Sequence, residues 1–379
     1  MPEPAPTVLM AVEQLRRRVP GGVGAYALGL LLGLDQCARE GDRVEVTLLA
    51  SRAPRRVPRD PLAALGRPVR TTPWPGPLTT RAWDHGWLHA PGGFDVVHST
   101  SLAAPRPHRS RGSRLVVTVH DVAWRRHPDA TTRRGRRWHE AALRRARDCG
   151  AALVVSSRFV ASDLTALGID AGRITVVPGG TDHLAEPDAA ATAALLQRVG
   201  VSGEFLLTVG TLEPRKNLDR LVRAYTRLRP SLPAPWPLVI VGPTGWGHEH
   251  ERIAETEGVR FTGAVSDGVL AELYRRARAF AYVPLTEGYG LPPLEAMRSG
   301  TPTVVSYEVP SVNELDGDGP PPARVVDPLD VDDIAAGLGA VLTDDALRAD
   351  LSARGSARTL PRTWRGAARR HLALWRRLQ

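Results

Sequence analysis

The chain predicts an α/β protein of two doubly wound, Rossmann-like domains, each with a parallel sheet. Three observations carry that expectation. Short apolar or β-branched runs alternate with helical patterns, and the series occurs twice. The runs lack polar alternation, which suits strands covered by helices on both faces. At 379 residues the chain exceeds what one hydrophobic core usually fills, so two domains are the default. Ligands of such sheets bind beyond the carboxyl ends of the strands, and two facing sheets would make a cleft.

In the first half the strand candidates are Val8–Met10, Val44–Leu49, Val96–Val97, Leu115–Val119, Leu153–Val155 and Ile174–Val177. Helical patterns such as Tyr26–Cys37 and Trp138–Cys149 lie between them. In the second half the candidates are Phe205–Val209, Leu238–Val241, Arg260–Phe261, Ala279–Val283, Thr303–Val305 and Arg324–Val326. The clearest helix there has Leu218, Leu221, Val222, Tyr225 and Leu228 on one face, the 3.6-residue period. The Ala-rich segment Thr181–Arg198, with Pro187, is the expected join, giving domains 1–188 and 189–362. In 363–379, Trp364, Ala368, Leu372, Trp375 and Leu378 recur at helical spacing and arginines cover the rest. This predicts an amphipathic helix packing back across the domains, with membrane-surface contact as the minor alternative.

Hydrophobic content of 42% and charged content of 24% describe an ordinary globular protein. Cys37 and Cys149 make neither a disulfide framework nor a metal-ligand spacing, so a reducing compartment is expected. The start, 1–20, has a short apolar stretch broken by Glu13 and does not read as a signal peptide. The longest apolar run, 27–34, is too short to cross a bilayer. A cytoplasmic protein is expected, with peripheral attachment to the inner face of a membrane left open.

The net charge of +10 is unevenly placed: residues 1–188 hold 27 arginines against 18 carboxylates, and nine of those arginines fall between Arg125 and Arg147. A basic half can address nucleic acid, anionic lipid or a phosphorylated substrate, and a solvated arginine-rich face is an equal competitor. No helix-turn-helix, zinc or RNA-recognition signature accompanies the charge, so nucleic acid is not an expected partner.

Of the 50 basic residues only Lys216 is lysine. It lies in Gly210-Thr211-Leu212-Glu213-Pro214-Arg215-Lys216-Asn217, after a strand candidate and before a helix that Asn217 could cap. Arginine is a planar fork and lysine a compact point charge, so a lone lysine marks a position where arginine would not fit. Arg215 and Lys216 beside a helix N-terminus suit a diphosphate, because free N–H groups and the helix dipole already attract phosphate there. The pattern is not a Walker A loop.

A second constellation is Glu287-Gly288-Tyr289-Gly290-Leu291-Pro292-Pro293-Leu294-Glu295, following a strand candidate and opening a helix. Its glycines let backbone approach a ligand. Glu287 in the loop and Glu295 in the expected first helical turn can reach different hydroxyls of one elongated polar ligand. Gly21-Gly22-Val23-Gly24, expected as a loop between the first strand and helix, is either a phosphate-approach loop or a tight turn. His120 and Asp121 end the strand candidate Leu115–Val119.

Together these four motifs resemble retaining glycosyltransferases of family 4, with the GT-B fold, and the order and spacing fit from residue 8 to about 377. The subgroup resembled is the bacterial mannosyltransferase-like one. The resemblance implies that Arg215 and Lys216 bind the donor diphosphate and stabilise charge on the leaving group. Glu287 would hold the sugar near the reacting carbon, and Glu295 the ribose hydroxyls. Gly288, Tyr289 and Gly290 would border the donor, Gly22 and Gly24 would let amides approach the phosphates, and His120 would lie by the transferred sugar. No metal or other cofactor is implied. Many such relatives carry Arg directly after the strand-end glycine, where this chain has Thr211.

The donor first implied is GDP-mannose, with glucose, N-acetylglucosamine and rhamnose donors open. The acceptor would be a saccharide or lipid-linked saccharide of surface polysaccharide or glycolipid assembly, a soluble small molecule being the alternative. Asp316-Gly317-Asp318 and Asp330-Val331-Asp332 match a metal-binding Asp-x-Asp pattern, but turn and cap chemistry explains both. His248-Glu249-His250-Glu251 reads as an exposed helix start, and Trp246 could border the nucleotide base or pack in the core. A Schiff-base role for Lys216 with pyridoxal phosphate is a rival that the adjacent Arg215 disfavours.

Overall fold

The computed structural model describes residues 5–17, 19–53, 60–107, 112–245 and 249–379, without the side chains of 249 and 250. It comprises two compact units, Met1–Gly180 with Thr363–Gln379, and Thr181–Arg362. The sequence reading ended the first domain at 188. Residues 181–188 instead group with the second unit, where Thr181 N donates to Arg362 O and Asp188 N to Gly268 O, each at 3.0 Å.

The first unit has β1 (Thr7–Ala11), β2 (Glu45–Ala50), β3 (Val69–Thr71), β4 (Val96–Ser99), β5 (Arg114–Val119), β6 (Ala152–Val155) and β7 (Ile174–Val176). They form one sheet in the order β3-β2-β1-β4-β5-β6-β7, all pairs parallel. The second unit has β8 (Leu206–Val209), β9 (Leu238–Val241), β10 (Val259–Gly263), β11 (Ala279–Tyr282), β12 (Thr303–Ser306) and β13 (Arg324–Val326). Their order is β10-β9-β8-β11-β12-β13, again wholly parallel. The chain therefore reverses direction across each sheet at β1/β4 and at β8/β11, the places where open α/β sheets take ligands.

Twelve of the thirteen strands were expected. The other, β3, is a short edge strand with exposed Arg70 and Thr71, so it lacks the apolar run that marks its neighbours. Strand pleating sends alternate residues to opposite cores. In β11, Ala279 and Ala281 join one apolar cluster, while Phe280 and Tyr282 join the other.

The C-terminal helix, Trp364–Leu378, belongs to the first unit, a more local placement than packing across both domains. Thr363 caps it, its side chain accepting from Gly366 N at 3.1 Å. It lies against the helix Gly21–Arg39, where Gly29 and Gly33 leave room for Trp364. Among the described residues no helix is long and apolar enough to cross a membrane.

Candidate active site

The loop after β8 forms a 3-10 turn over Pro214–Lys216, and the helix Leu218–Leu228 follows. Asn217 stands at that helix's N-cap position with φ of 59°, but its side chain does not cap. Its Nδ2 instead donates to Val283 O at 2.9 Å and Pro328 O at 2.7 Å, tying this loop to the end of β11. Because β8 and β11 are neighbours in the sheet, their carboxyl-end loops meet.

There Glu287, 8% exposed, receives both cations. Arg215 Nη1 lies 2.8 Å from Oε2, and Lys216 Nζ pairs with Oε1. Lys216 Nζ also donates to Tyr282 Oη at 2.7 Å, and that hydroxyl donates to Glu287 Oε1 at 2.8 Å. Arg215 is further held by Glu213 at 2.8 Å and Thr286 O at 3.2 Å. Burial works to raise the Glu287 pKa, but the charges of Arg215 and Lys216 outweigh it and hold the group at about 2. Glu287 is therefore a carboxylate, and in this cluster the two cations balance Glu213 and Glu287.

Glu295 belongs to a separate cluster. It is the fifth residue of the helix Leu291–Arg298, past the first turn where it was expected, because the helix already begins at Leu291, ahead of the two prolines. Gly290 has φ of 93°, and a Cβ there would sit 2.8 Å from Val309 Cγ1, so glycine is required. Gly288 and Tyr289 occupy the same turn, and Tyr289 O accepts from Ser311 N at 2.9 Å. Buried Glu295 accepts from Tyr274 Oη at 2.8 Å and meets His183 Nε2 at 3.1 Å. Burial lowers the His183 pKa, yet the Glu295 hydrogen bond and charge raise it overall. Beside them opens a cavity of 380 Å³ whose walls include Asp182, Arg275, Glu295 and Arg298.

In the first unit the glycine motif is helical rather than a loop. The helix starts at Gly21, and Gly24 N already donates to Pro20 O at 3.1 Å. A Cβ on Gly24 would meet Pro20 Cβ at 2.3 Å, whereas Gly22 faces open space. Amides of the first turn other than Gly24 are left for a ligand. His120 is half-buried beyond β5, its Nε2 donating to Thr100 O at 2.8 Å and its ring 5.0 Å from that of Tyr26. Burial lowers its pKa.

Behind Tyr26 the hydrogen bonds run in one direction. His371 Nδ1 donates to Ala367 O at 3.0 Å, so Nε2 accepts from Tyr26 Oη at 2.8 Å. Thr118 Oγ1 donates to Tyr26 Oη at 3.4 Å and lies 2.9 Å from His98 Nε2. A chain of this sense needs neutral histidines. Burial lowers His371 from 6.5 to about 4, and burial with the neighbouring His371 and His120 lowers His98 well below its usual value. An unfolded chain takes up these protons near pH 6.5 and the folded one only lower, so stability should fall as pH drops between those values. His371 alone accounts for on the order of 3 kcal/mol. Urea unfolding followed by tryptophan fluorescence from pH 8 to pH 4 should show the decline, and His371→Leu should flatten it.

Sequence reading had no means of pairing Arg215 or Lys216 with Glu287, and it missed Tyr282, Tyr274, His183 and Glu213. The tyrosines sit in apolar patterns that read as core, and only the hydroxyl at the very end of β11 hinted otherwise. Trp246 and His248 lie outside the described residues. Asp316 pairs with Arg362 at 2.7 Å, and Asp330 caps the helix Val331–Thr343 by accepting from Asp332 N at 2.8 Å.

Comparisons with known proteins match both halves of the chain. A family model described as Glycosyltransferase Family 4 matches residues 20–183, and one described as Glycosyl transferases group 1 matches residues 199–358. The chain is 34% identical over 266 residues, 68% of each chain, to the O-antigen chain mannosyltransferase B of Escherichia coli. It is 30% identical over 370 residues to the phosphatidyl-myo-inositol mannosyltransferase of Mycolicibacterium smegmatis, covering 91% of this chain and 87% of that one. The crystal structure of Anabaena HepE with UDP and glucose shares the fold, with a TM-score of 0.72 at 17% identity over 98% of this chain and 100% of the other. With the GT-B pattern of two parallel-sheet domains and mannosyltransferase relatives spanning most of its length, the chain belongs to glycosyltransferase family 4.

Proposed function

We propose that this glycosyltransferase moves a hexose, mannose first, from a nucleoside diphosphate sugar to an acceptor hydroxyl with retention of anomeric configuration. The cluster of Arg215, Lys216 and Glu287 carries the reading. Two cations next to a helix start, balanced by a buried carboxylate, form a unit that a diphosphate can open. An arriving diphosphate competes with Glu287 for Lys216 and Arg215, and the released carboxylate is free to accept from sugar hydroxyls. When the anomeric carbon–oxygen bond breaks, the negative charge passes to the diphosphate, where these cations stabilise it. The acceptor oxygen bonds the same carbon and passes its proton to the departing diphosphate. The positive charge comes from side chains, so no metal or other cofactor enters the proposal.

Glu295 is assigned to the ribose hydroxyls and GDP-mannose is the donor expected first, a choice supported by the mannosyltransferase relatives. The acceptor is assigned to the first unit, at the strand-end loops that carry His120. The relatives named for O-antigen chains and phosphatidyl-myo-inositol support a surface polysaccharide or glycolipid acceptor. The arginine-dense helix Arg133–Asp148 supports a cytoplasmic protein that meets an anionic membrane face.

Thermal unfolding with a panel of nucleoside diphosphates and their sugars tests the donor. A ligand bound only by the folded state, at a hundred times its dissociation constant, adds about 2.7 kcal/mol, a shift of several degrees. Guanosine nucleotides should give that shift and Glu295→Gln should remove most of it. Absence of a shift from every nucleotide would overturn the reading.

A further inference from the structure

Glu287 and Glu295 are both buried carboxylates, but their counter-charges differ in kind. Glu287 meets an arginine and a lysine. No arginine or lysine pairs with Glu295 among the described residues. Arg275 pairs with Glu272 at 3.5 Å, and Arg298 donates to Thr181 Oγ1 at 3.2 Å and to Leu360 O at 3.1 Å. The charged partner of Glu295 is a histidine, His183, at 3.1 Å.

His183 lies in the segment 181–188, which backbone hydrogen bonds hold at both ends, Thr181 N to Arg362 O and Asp188 N to Gly268 O. The ring is therefore delivered to Glu295 by the fold. Its Nε2 meets Oε1, while Tyr274 Oη, from the helix Asp267–Arg276, donates to Oε2 at 2.8 Å. Both donors come from outside the helix that carries Glu295, so together they fix the plane of the carboxylate. Each carboxylate oxygen has two acceptor positions, and each spends one here. The position left on each oxygen suits one of two adjacent hydroxyls.

We propose that His183 is a positioning residue for nucleotide binding: as an imidazolium it orients Glu295 toward the 2′- and 3′-hydroxyls of the ribose. The proposal rests on the reading that Glu295 takes the ribose. Burial opposes a proton on the ring, but the hydrogen bond and charge of Glu295, then Asp267 and Asp182, outweigh it and raise the pKa. Burial above all keeps Tyr274 a neutral donor. Arg275 and Arg298 line the cavity beside Asp182 and Glu295, engaged as described. The grip on ribose is thus present while His183 is protonated and weakens as pH rises through its pKa.

Titration calorimetry with GDP-mannose, whose diphosphate does not titrate near neutrality, should show affinity falling between about pH 6 and pH 8.5. A different donor found by thermal shift takes its place. His183→Leu should weaken binding by about tenfold, the worth of one hydrogen bond to a charged group. It should raise the donor KM and leave kcat nearly unchanged, since the ribose is held alike before and during transfer. His183→Gln keeps a donor without the charge, so it should recover part of the affinity and lose the pH dependence. The penalty for 2′-deoxy-GDP against GDP should shrink in His183→Leu, because both changes remove the same contact. An unchanged affinity and an unchanged 2′-deoxy penalty in folded His183→Leu would overturn the proposal and leave Glu295 on the ribose. So would a wild-type pH profile in His183→Gln. Equal binding of GDP and 2′-deoxy-GDP by the wild-type protein would remove Glu295 from the ribose, and the proposal with it.

Discussion

Lys216→Ala is expected to lower kcat by about 10²–10³-fold, the usual effect of removing one fixed group that stabilises transition-state charge. The affinity for the nucleotide diphosphate should fall less, because Arg215 remains. Lys216 is held at one end by Glu287 and by Tyr282 at 2.7 Å. Along its stem it passes Gly210, where a Cβ would come within 3.5 Å of Lys216 Cε. A guanidinium is longer and planar, so it would have to give up the geometry in which the compact ammonium meets both Tyr282 and Glu287. Lys216→Arg should therefore lose most of the activity although the charge is kept, and Arg215→Lys should lose less. Single-turnover rates with the donor found by thermal shift measure this directly. Unchanged turnover in Lys216→Ala would remove the lysine from the chemistry.

Gly33→Ala should give a large loss of stability. A Cβ at Gly33 would lie 2.1 Å from the carbonyl oxygen of Trp364. That oxygen is backbone, so relief requires the helices Gly21–Arg39 and Trp364–Leu378 to separate. Separation would also expose Trp364 and Trp375, both fully buried, and break the bond between Tyr26 and His371. Overpacking of a tight core costs about 1–3 kcal/mol and sometimes more; the upper end applies where backbone must yield. For a unit of this size that corresponds to roughly 6–12 °C in Tm. Gly22→Ala, with nothing within 4 Å of the new methyl, is the matched control and should be close to neutral. A change under about 2 °C in Gly33→Ala would mean the helices do not meet as described.

Much of the candidate site was legible before folding because its groups are local. Arg215 and Lys216 lie within three positions of a helix start, and the glycine turn after β11 precedes another, so position along the chain already implied their place at strand ends. The errors were also local. Glu295 was placed in the first turn because two prolines mark a helix start without saying which residue is the cap. Asn217 was expected to cap its own helix, yet the left-handed conformation turns its side chain toward Val283 and Pro328 instead. Gly24 is explained by its contact with Pro20, which no spacing in the sequence reveals.

The sequence by itself determined most of the strands, all but the polar edge strand β3, and the helices with a clear apolar face, since unbroken apolar runs and the 3.6-residue period are properties of neighbours in the chain. It also determined that the two cations Arg215 and Lys216 stand just before a helix start. Tertiary structure alone decided which distant residues meet. Glu287 and Lys216 are brought together because β8 and β11 pair where the sheet reverses, and Tyr282 completes the cluster only because its strand ends there. The same holds for His371 and Tyr26, joined across two helices whose glycines permit the approach. Such pairings depend on sheet order and on which face a helix buries, and periodicity records neither.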